Sequence, residues 1–139
     1  MSKSLYSAFG TVKQYEEDGV TLDLGVSKFK IRRAGGGNRR YGIVLTAKLR
    51  PHRRALDAGV LSEEISRDIM LETYFETVVI DWENVTDQDG NVLPYNLQNF
   101  KKVMTDLPDL WSLIMRESDN IRNFQAEEAA QDGTTLGNS

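Results

Sequence analysis

Val20-Thr21-Leu22-Asp23-Leu24-Gly25-Val26-Ser27-Lys28-Phe29-Lys30-Ile31-Arg32 is the stretch on which the fold turns. Val20, Leu22 and Leu24 alternate with Thr21 and Asp23. Phe29 and Ile31 then alternate with Lys28, Lys30 and Arg32, the two-residue period of half-buried strands. Gly25-Val26-Ser27 breaks the two runs apart, so the segment reads as a β-hairpin. Upstream, the stretch from Phe9 to Tyr15 allows a further strand, ended by the turn residues Glu17-Asp18-Gly19.

Downstream the period changes. Ala34-Gly35-Gly36-Gly37-Asn38 ends the strand pattern, with Asn38 placed as a helix N-cap. Tyr41, Val44, Leu45, Lys48 and Leu49 follow at helical steps, and Pro51 is expected to end that helix near Arg50. Arg53 to Ala58 resumes for a turn before Gly59. Ser62 caps a second helix with Glu63 and Glu64 in its first turn, and its apolar stripe continues through Ile65, Ile69, Met70, Tyr74, Thr77 and Val78 to about Trp82. Asp-Gly within Thr86–Asn91, flanked by Val85, Val92 and Leu93, predicts a short hairpin. Asn96 caps a helix carrying Leu97, Phe100, Val103 and Met104. Asp106 is placed as cap of a last helix with Pro108 just inside, carrying Leu110, Trp111, Ile114, Met115 and Ile121 and fading near Phe124.

The reading is therefore α+β. An N-terminal β-hairpin or small meander occupies residues 1–34, and a mostly helical body of about four helices occupies 38–126, with a turn or hairpin near residues 85–93. Residues 1–126 form one domain, and the polar stretch 127–139 is expected as a flexible C-terminal tail. A chain of 139 residues with 40% hydrophobic and 27% charged side chains is long enough to bury one core without staples.

Composition narrows the chemistry. With no cysteine there is no disulfide framework, thiolate metal site, iron–sulfur centre or cysteine nucleophile. The single histidine, His52, excludes two-histidine metal motifs and sits between Pro51 and Arg53 with no nucleophile signalled beside it. Asp87, Asp89 and Asn91 have the spacing of alternate calcium ligands, but the glycine falls fourth instead of sixth and Gln98 stands where a glutamate is required. The triple glycine lacks the GxxxxGK[ST] pattern of a phosphate loop. The chain is expected to have no catalytic residue, metal or cofactor. No apolar run approaches the ~18 residues of a membrane helix, so a soluble, cytoplasmic setting is expected.

The net charge of −4 conceals an uneven distribution. Ten of the 17 bases lie between Gly25 and Leu56 with no acid among them, leaving seven bases against all 21 acids elsewhere, so that +10 faces −14. Such a chain either meets a charged partner or packs its basic segment beside its own acidic helices. Arg32, Arg33, Arg39, Arg40, Arg53 and Arg54 are the candidate partner-binding arginines. Nucleic acid is the less favoured partner, because the sequence pI is about 5.0 and no recognition motif is present.

The run Ala34–Tyr41, followed by Leu49–Gly59, Val79–Tyr95, Asn96–Phe100 and Thr105–Leu110, resembles in its order the tail assembly chaperones of long-tailed bacteriophages. The Gly-Gly-Asn and Trp-Glu-x-Val-Thr-Asp-x-Asp-Gly stretches are the most specific parts of the likeness, which spans Leu5 to Phe124. The resemblance implies a non-catalytic protein of the host cytoplasm. It would bind the tape-measure protein, keep that protein soluble, help recruit the tail-tube protein, and be absent from the mature virion. On that reading an amphipathic client helix lies in an apolar groove lined from Tyr74, Val78, Trp82, Leu110, Trp111 and Ile114, unless these residues form the domain's own core. Self-association is a further expectation. The alternatives are a nucleic-acid-binding phage accessory protein using residues 28–54, and a small structural tail or connector component.

Overall fold

The computed structural model describes residues 4–126. The expected tail, 127–139, lies outside them. The hairpin forms as the alternation requires: β1 (Val20–Asp23) pairs antiparallel with β2 (Lys28–Ile31), Val20 opposite Ile31 and Asp23 opposite Lys28. A third strand, β3 (Val79–Glu83), adds antiparallel to β2 and completes a sheet in the order β1-β2-β3.

That third strand corrects the expectation that the Ser62 helix runs to Trp82. The helix, α5 (Glu63–Thr77), begins at the Ser62 cap, whose hydroxyl accepts from Ile65 N–H, but stops at Thr77. Val78-Val79-Ile80 is a β-branched run that loses side-chain freedom in a helix and packs well on a pleated surface. The open edge of β2 supplies backbone partners, so the chain turns into the sheet. Phe29 sits directly opposite Trp82, their rings edge-to-face with centroids 6.0 Å apart. A register shift between Lys30 and Ile31 accommodates one extra residue in β3.

A second correction lies at the N-terminus. No strand covers Phe9 to Tyr15. Instead α1 (Leu5–Phe9) and α2 (Lys13–Asp18) are short helices. Ser4 and Ser7 satisfy each other's backbone in a reciprocal capping box, which outweighs the weak strand preference of this segment.

The rest of the helical body follows the sequence closely. Asn38 precedes α3 (Arg39–Leu49), a 3₁₀ turn over Arg50–His52 contains Pro51, and α4 (Arg53–Asp57) resumes before Gly59 at φ +70°. Asn96 caps α6 (Leu97–Asp106) through Asn99 N–H. The last helix, α7 (Pro108–Ser118), takes Leu107 as its N-cap, so Asp106 ends α6 instead of starting α7. A 3₁₀ turn over Ile121–Phe124 closes the described chain. Thr86 pairs with Val92 across the Asp87–Gly90 turn, as the Asp-Gly signal predicts.

Helix α5 lies at the centre, packed against α3, α6 and β3. The core beneath the sheet is aromatic: Phe100 is completely buried and meets Phe75, Trp82, Tyr95 and Trp111 at ring separations from 5.8 to 6.5 Å. Thr73 and Thr77, also buried in α5, donate their hydroxyls to the carbonyls of Ile69 and Thr73 and so need no outside partner.

Candidate functional site

The basic segment meets acids of the same chain at several points. On the solvent face of the sheet, Lys28 lies opposite Glu83 and Lys30 opposite Asp81 across the β2–β3 ladder. Lys48 on α3 bridges to Glu76 at 3.0 Å and Glu72 at 4.0 Å on α5, and Lys101 on α6 continues the chain to Glu72 and Asp68. The hydrogen bond that Lys101 donates to Asp68, chiefly, raises the Lys101 pKa against the opposing effect of burial.

Arg33 is tied into a small network with the glycine loop. Its guanidinium donates to Glu16 Oε1 at 2.9 Å, Gly37 N–H donates to the same oxygen, and the Thr11 hydroxyl donates to Oε2 at 3.0 Å. A Cβ on Gly37 would collide with the Glu16 carboxylate, and one on Gly36 with the Arg33 guanidinium. The loop therefore does cradle an anion, but the anion is the chain's own Glu16. Burial pushes that carboxyl's pKa up, yet the hydrogen bonds from Arg33, Gly37 and Thr11 outweigh it and hold the group below the usual carboxylate range. Asn38 occupies the cap position without capping: buried, its amide donates to the carbonyls of Arg33 and Thr77 and pins the loop to the end of α5.

Of the other arginines singled out, Arg32 donates to the Glu17 carbonyl, Arg40 to the Glu76 carbonyl, and Arg53 lies 4.0 Å from Asp57 in its own helix. Arg39, Arg40, Arg53 and Arg54 are exposed. They fall into two pairs, one opening α3 and one opening α4, with the length of α3, roughly 16 Å, between them. The aromatic candidates behave differently. Tyr74, Trp82 and Trp111 are buried, as are Val78 and Ile114, so the proposed groove is the domain's core and offers no surface to a client. Burial pushes the Tyr74 hydroxyl's pKa far up, in keeping with that placement.

An open apolar surface does exist elsewhere. A cleft of about 410 Å³ lies between the hairpin tip, the 85–93 loop and the corner where α6 meets α7. Leu24, Val26 and Phe29 form one wall, Val85 and Leu93 the floor, and Val103, Leu107 and Leu110 the other wall, with Asp87, Lys102 and Asp106 at the rim. Its shape is fixed by hydrogen bonds. Asn84, in a left-handed backbone conformation at φ 56°, donates its amide to the Val26 carbonyl at 2.7 Å and accepts at its own carbonyl from the Ser27 hydroxyl at 2.8 Å. The Trp82 indole donates to the Leu93 carbonyl at 2.9 Å. Asp87, the failed calcium ligand, spends one carboxylate oxygen on the N–H groups of Asp89 and Asn91 and so stiffens the loop. Among the described residues no cluster of three or more His, Asp or Glu side chains is placed to hold a metal ion.

Three sequence segments build this cleft, which is why no single motif announces it. Two local signals do point there. Val26 sits in a tight turn and is 79% exposed, and Leu107 occupies a helix N-cap and is 52% exposed, both positions where polar residues normally serve the backbone.

Comparison with known families supplies the origin of the chain. A family model described as YdaY prophage protein matches residues 36–135, well over half the sequence. The chain belongs to that family. It is a phage-derived protein, and the matched span covers the glycine loop from Gly36, the α3–α4 arginines, and the floor and one of the two walls of the cleft. Neither the curated proteins nor the solved structures give a match.

Proposed function

We propose that this prophage protein is a tail assembly chaperone: it binds the tape-measure protein without catalysis, keeps it soluble in the host cytoplasm, helps recruit tail-tube subunits, and leaves before the virion is complete. The order of the sequence motifs supports that assignment, and the phage origin of the family agrees with it. The observation that carries it is the cleft. A preformed apolar groove of this size with a charged rim suits the apolar edge of an amphipathic client helix, with polar residues of the client meeting Asp87, Lys102 and Asp106. The client's place is thus at the cleft instead of at Tyr74, Trp82 and Trp111, and the exposed Arg39, Arg40, Arg53 and Arg54 are available to meet acidic surface of client or tube subunit.

Co-expression tests the proposal. With the tape-measure protein encoded in the same prophage, the wild-type chain should raise that protein's solubility and co-purify with it at moderate salt. Val26→Asp and Leu107→Asp should abolish both effects while leaving the fold intact, since both side chains are exposed and Asp is a favourable N-cap at position 107. Binding of a random oligonucleotide at physiological salt, with no effect on tape-measure solubility, would favour the nucleic-acid reading instead.

A further inference from the structure

The N-terminal arm is the least covered apolar element of the molecule. Leu5, Tyr6 and Phe9 on α1 are 74%, 90% and 66% exposed, and no residue of α1 is buried. From Ser4 to Val12 the chain carries no charge. Two hydrogen bonds hold the arm to the body: Val12 N–H to the Phe124 carbonyl, and the Gln125 amide to the Ala8 carbonyl, both at 2.8 Å. The arm is thus held in place with its apolar side chains largely uncovered by the other described residues.

The cleft lies at the opposite end of the fold. Helix α7 runs from Leu107 and Leu110 in the cleft wall to Ser118, whose carbonyl accepts from Ala34 at the far end of the hairpin, and then into the Phe124–Gln125 anchor of the arm. Eleven residues of helix put roughly 16 Å between the two ends of α7. Leu5 lies one helical turn, about 5 Å along the axis, from the Ala8 anchor, a reach well short of the length of α7.

We infer that the arm of one copy docks in the cleft of the next, so that the protein associates head to tail with itself. The exposed, uncharged Leu5, Tyr6 and Phe9 side chains can enter an apolar site without burying an unpaired charge. A second copy is the occupant because one chain carries both halves of the contact at opposite ends. Such a heterologous contact does not close on itself and adds copies in a row. Aromatic side chains bury about 150–250 Å² each, so the arm offers roughly 400 Å² and the contact about twice that. The total falls below the ~1,200 Å² of stable interfaces, which makes the association weak and concentration-dependent. The inference rests on the geometry of arm and cleft alone, and a client segment would compete with the arm for the same groove.

Sedimentation velocity on the full chain, with no client present, tests it. The wild type should grow beyond a dimer as concentration rises toward about 1 mM. The arm variant Tyr6→Ser/Phe9→Ser and the cleft variant Val26→Asp/Leu107→Asp should each stay monomeric, with association weakened by tenfold or more and circular dichroism unchanged. Mixed together, the two variants should form a one-to-one complex that grows no further, because one intact arm and one intact cleft remain. A wild type that stays monomeric throughout overturns the inference. So does an arm variant that associates like the wild type, or a cleft variant that still dimerises alone, which would mean that arm meets arm.

Discussion

Replacing Glu16 by glutamine isolates the anion held in the glycine loop. The substitution keeps the side chain's shape but removes the charge that accepts from Arg33, Gly37 and Thr11. Hydrogen bonds to charged groups contribute about 1.5–3 kcal/mol. The Arg33 and Glu16 side chains retain 23% and 14% of their exposure, so solvent screening trims the expected loss to about 1–2 kcal/mol. For a domain of this size that corresponds to a thermal midpoint lowered by about 4–8 °C at pH 7. The pH dependence is the sharper signature. Because the folded pKa is depressed, the stabilisation is fully present above the unfolded value near 4.3 and is lost as pH falls through the lower folded value. Thermal melts of wild type and Glu16→Gln from pH 7 downward should therefore show a constant gap to about pH 5 that closes below it. A gap under about 1 °C at pH 7, or one that persists unchanged into acid, would refute the assignment of Glu16 as the loop's anion.

Phe100→Ala should cost about 3–5 kcal/mol in urea unfolding, since the ring is fully buried among four other aromatic side chains. Lys101→Met should lose at most about 1 kcal/mol at neutral pH. Because the Lys101 pKa is raised in the folded state, that difference should disappear only as pH climbs past the unfolded value near 10.4 and through the folded one, which melts at pH 8 to 12 would detect. Reversing Arg39, Arg40, Arg53 and Arg54 to glutamate should leave the thermal midpoint nearly unchanged, since these side chains are exposed, and should weaken client or tube-subunit binding in a salt-dependent way. A quadruple variant that unfolds, yet binds normally whenever folded, would make those arginines internal partners of the acidic helices.

Local chemistry made much of the fold legible. Alternation over Val20–Ile31 specifies the hairpin, Ser62 and Asn96 announce their helices by capping, and Pro51 with Gly59 marks the broken helix after α3. What escaped was non-local. Val79 to Trp82 continues the apolar steps of α5, and only the unpaired edge of β2, some fifty residues earlier, turns it into a strand. The Phe9–Tyr15 stretch reads as strand but lies across the end of α1, which the Ser4–Ser7 pair caps, the Val12 anchor on Phe124, and the start of α2. The burial of the aromatic candidates was hidden for the same reason. Tyr74, Trp82 and Trp111 sit on α5, β3 and α7 and are covered by Tyr41, Phe29 and Phe100 from other elements, while the cleft gathers Val26, Val85 and Leu107 from segments with no common periodicity. The basic segment is uninterrupted in sequence, yet Glu16, Glu72, Glu76, Asp81 and Glu83 come to it from elsewhere in the chain.

Hydrogen–deuterium exchange on the purified complex with the tape-measure protein bears most directly on the cleft as the client site. New protection is predicted in the hairpin tip around residues 24–29, in the 85–93 loop, and across residues 102–110. Protection confined to residues 39–54, with the cleft exchanging as in the free protein, would contradict the account.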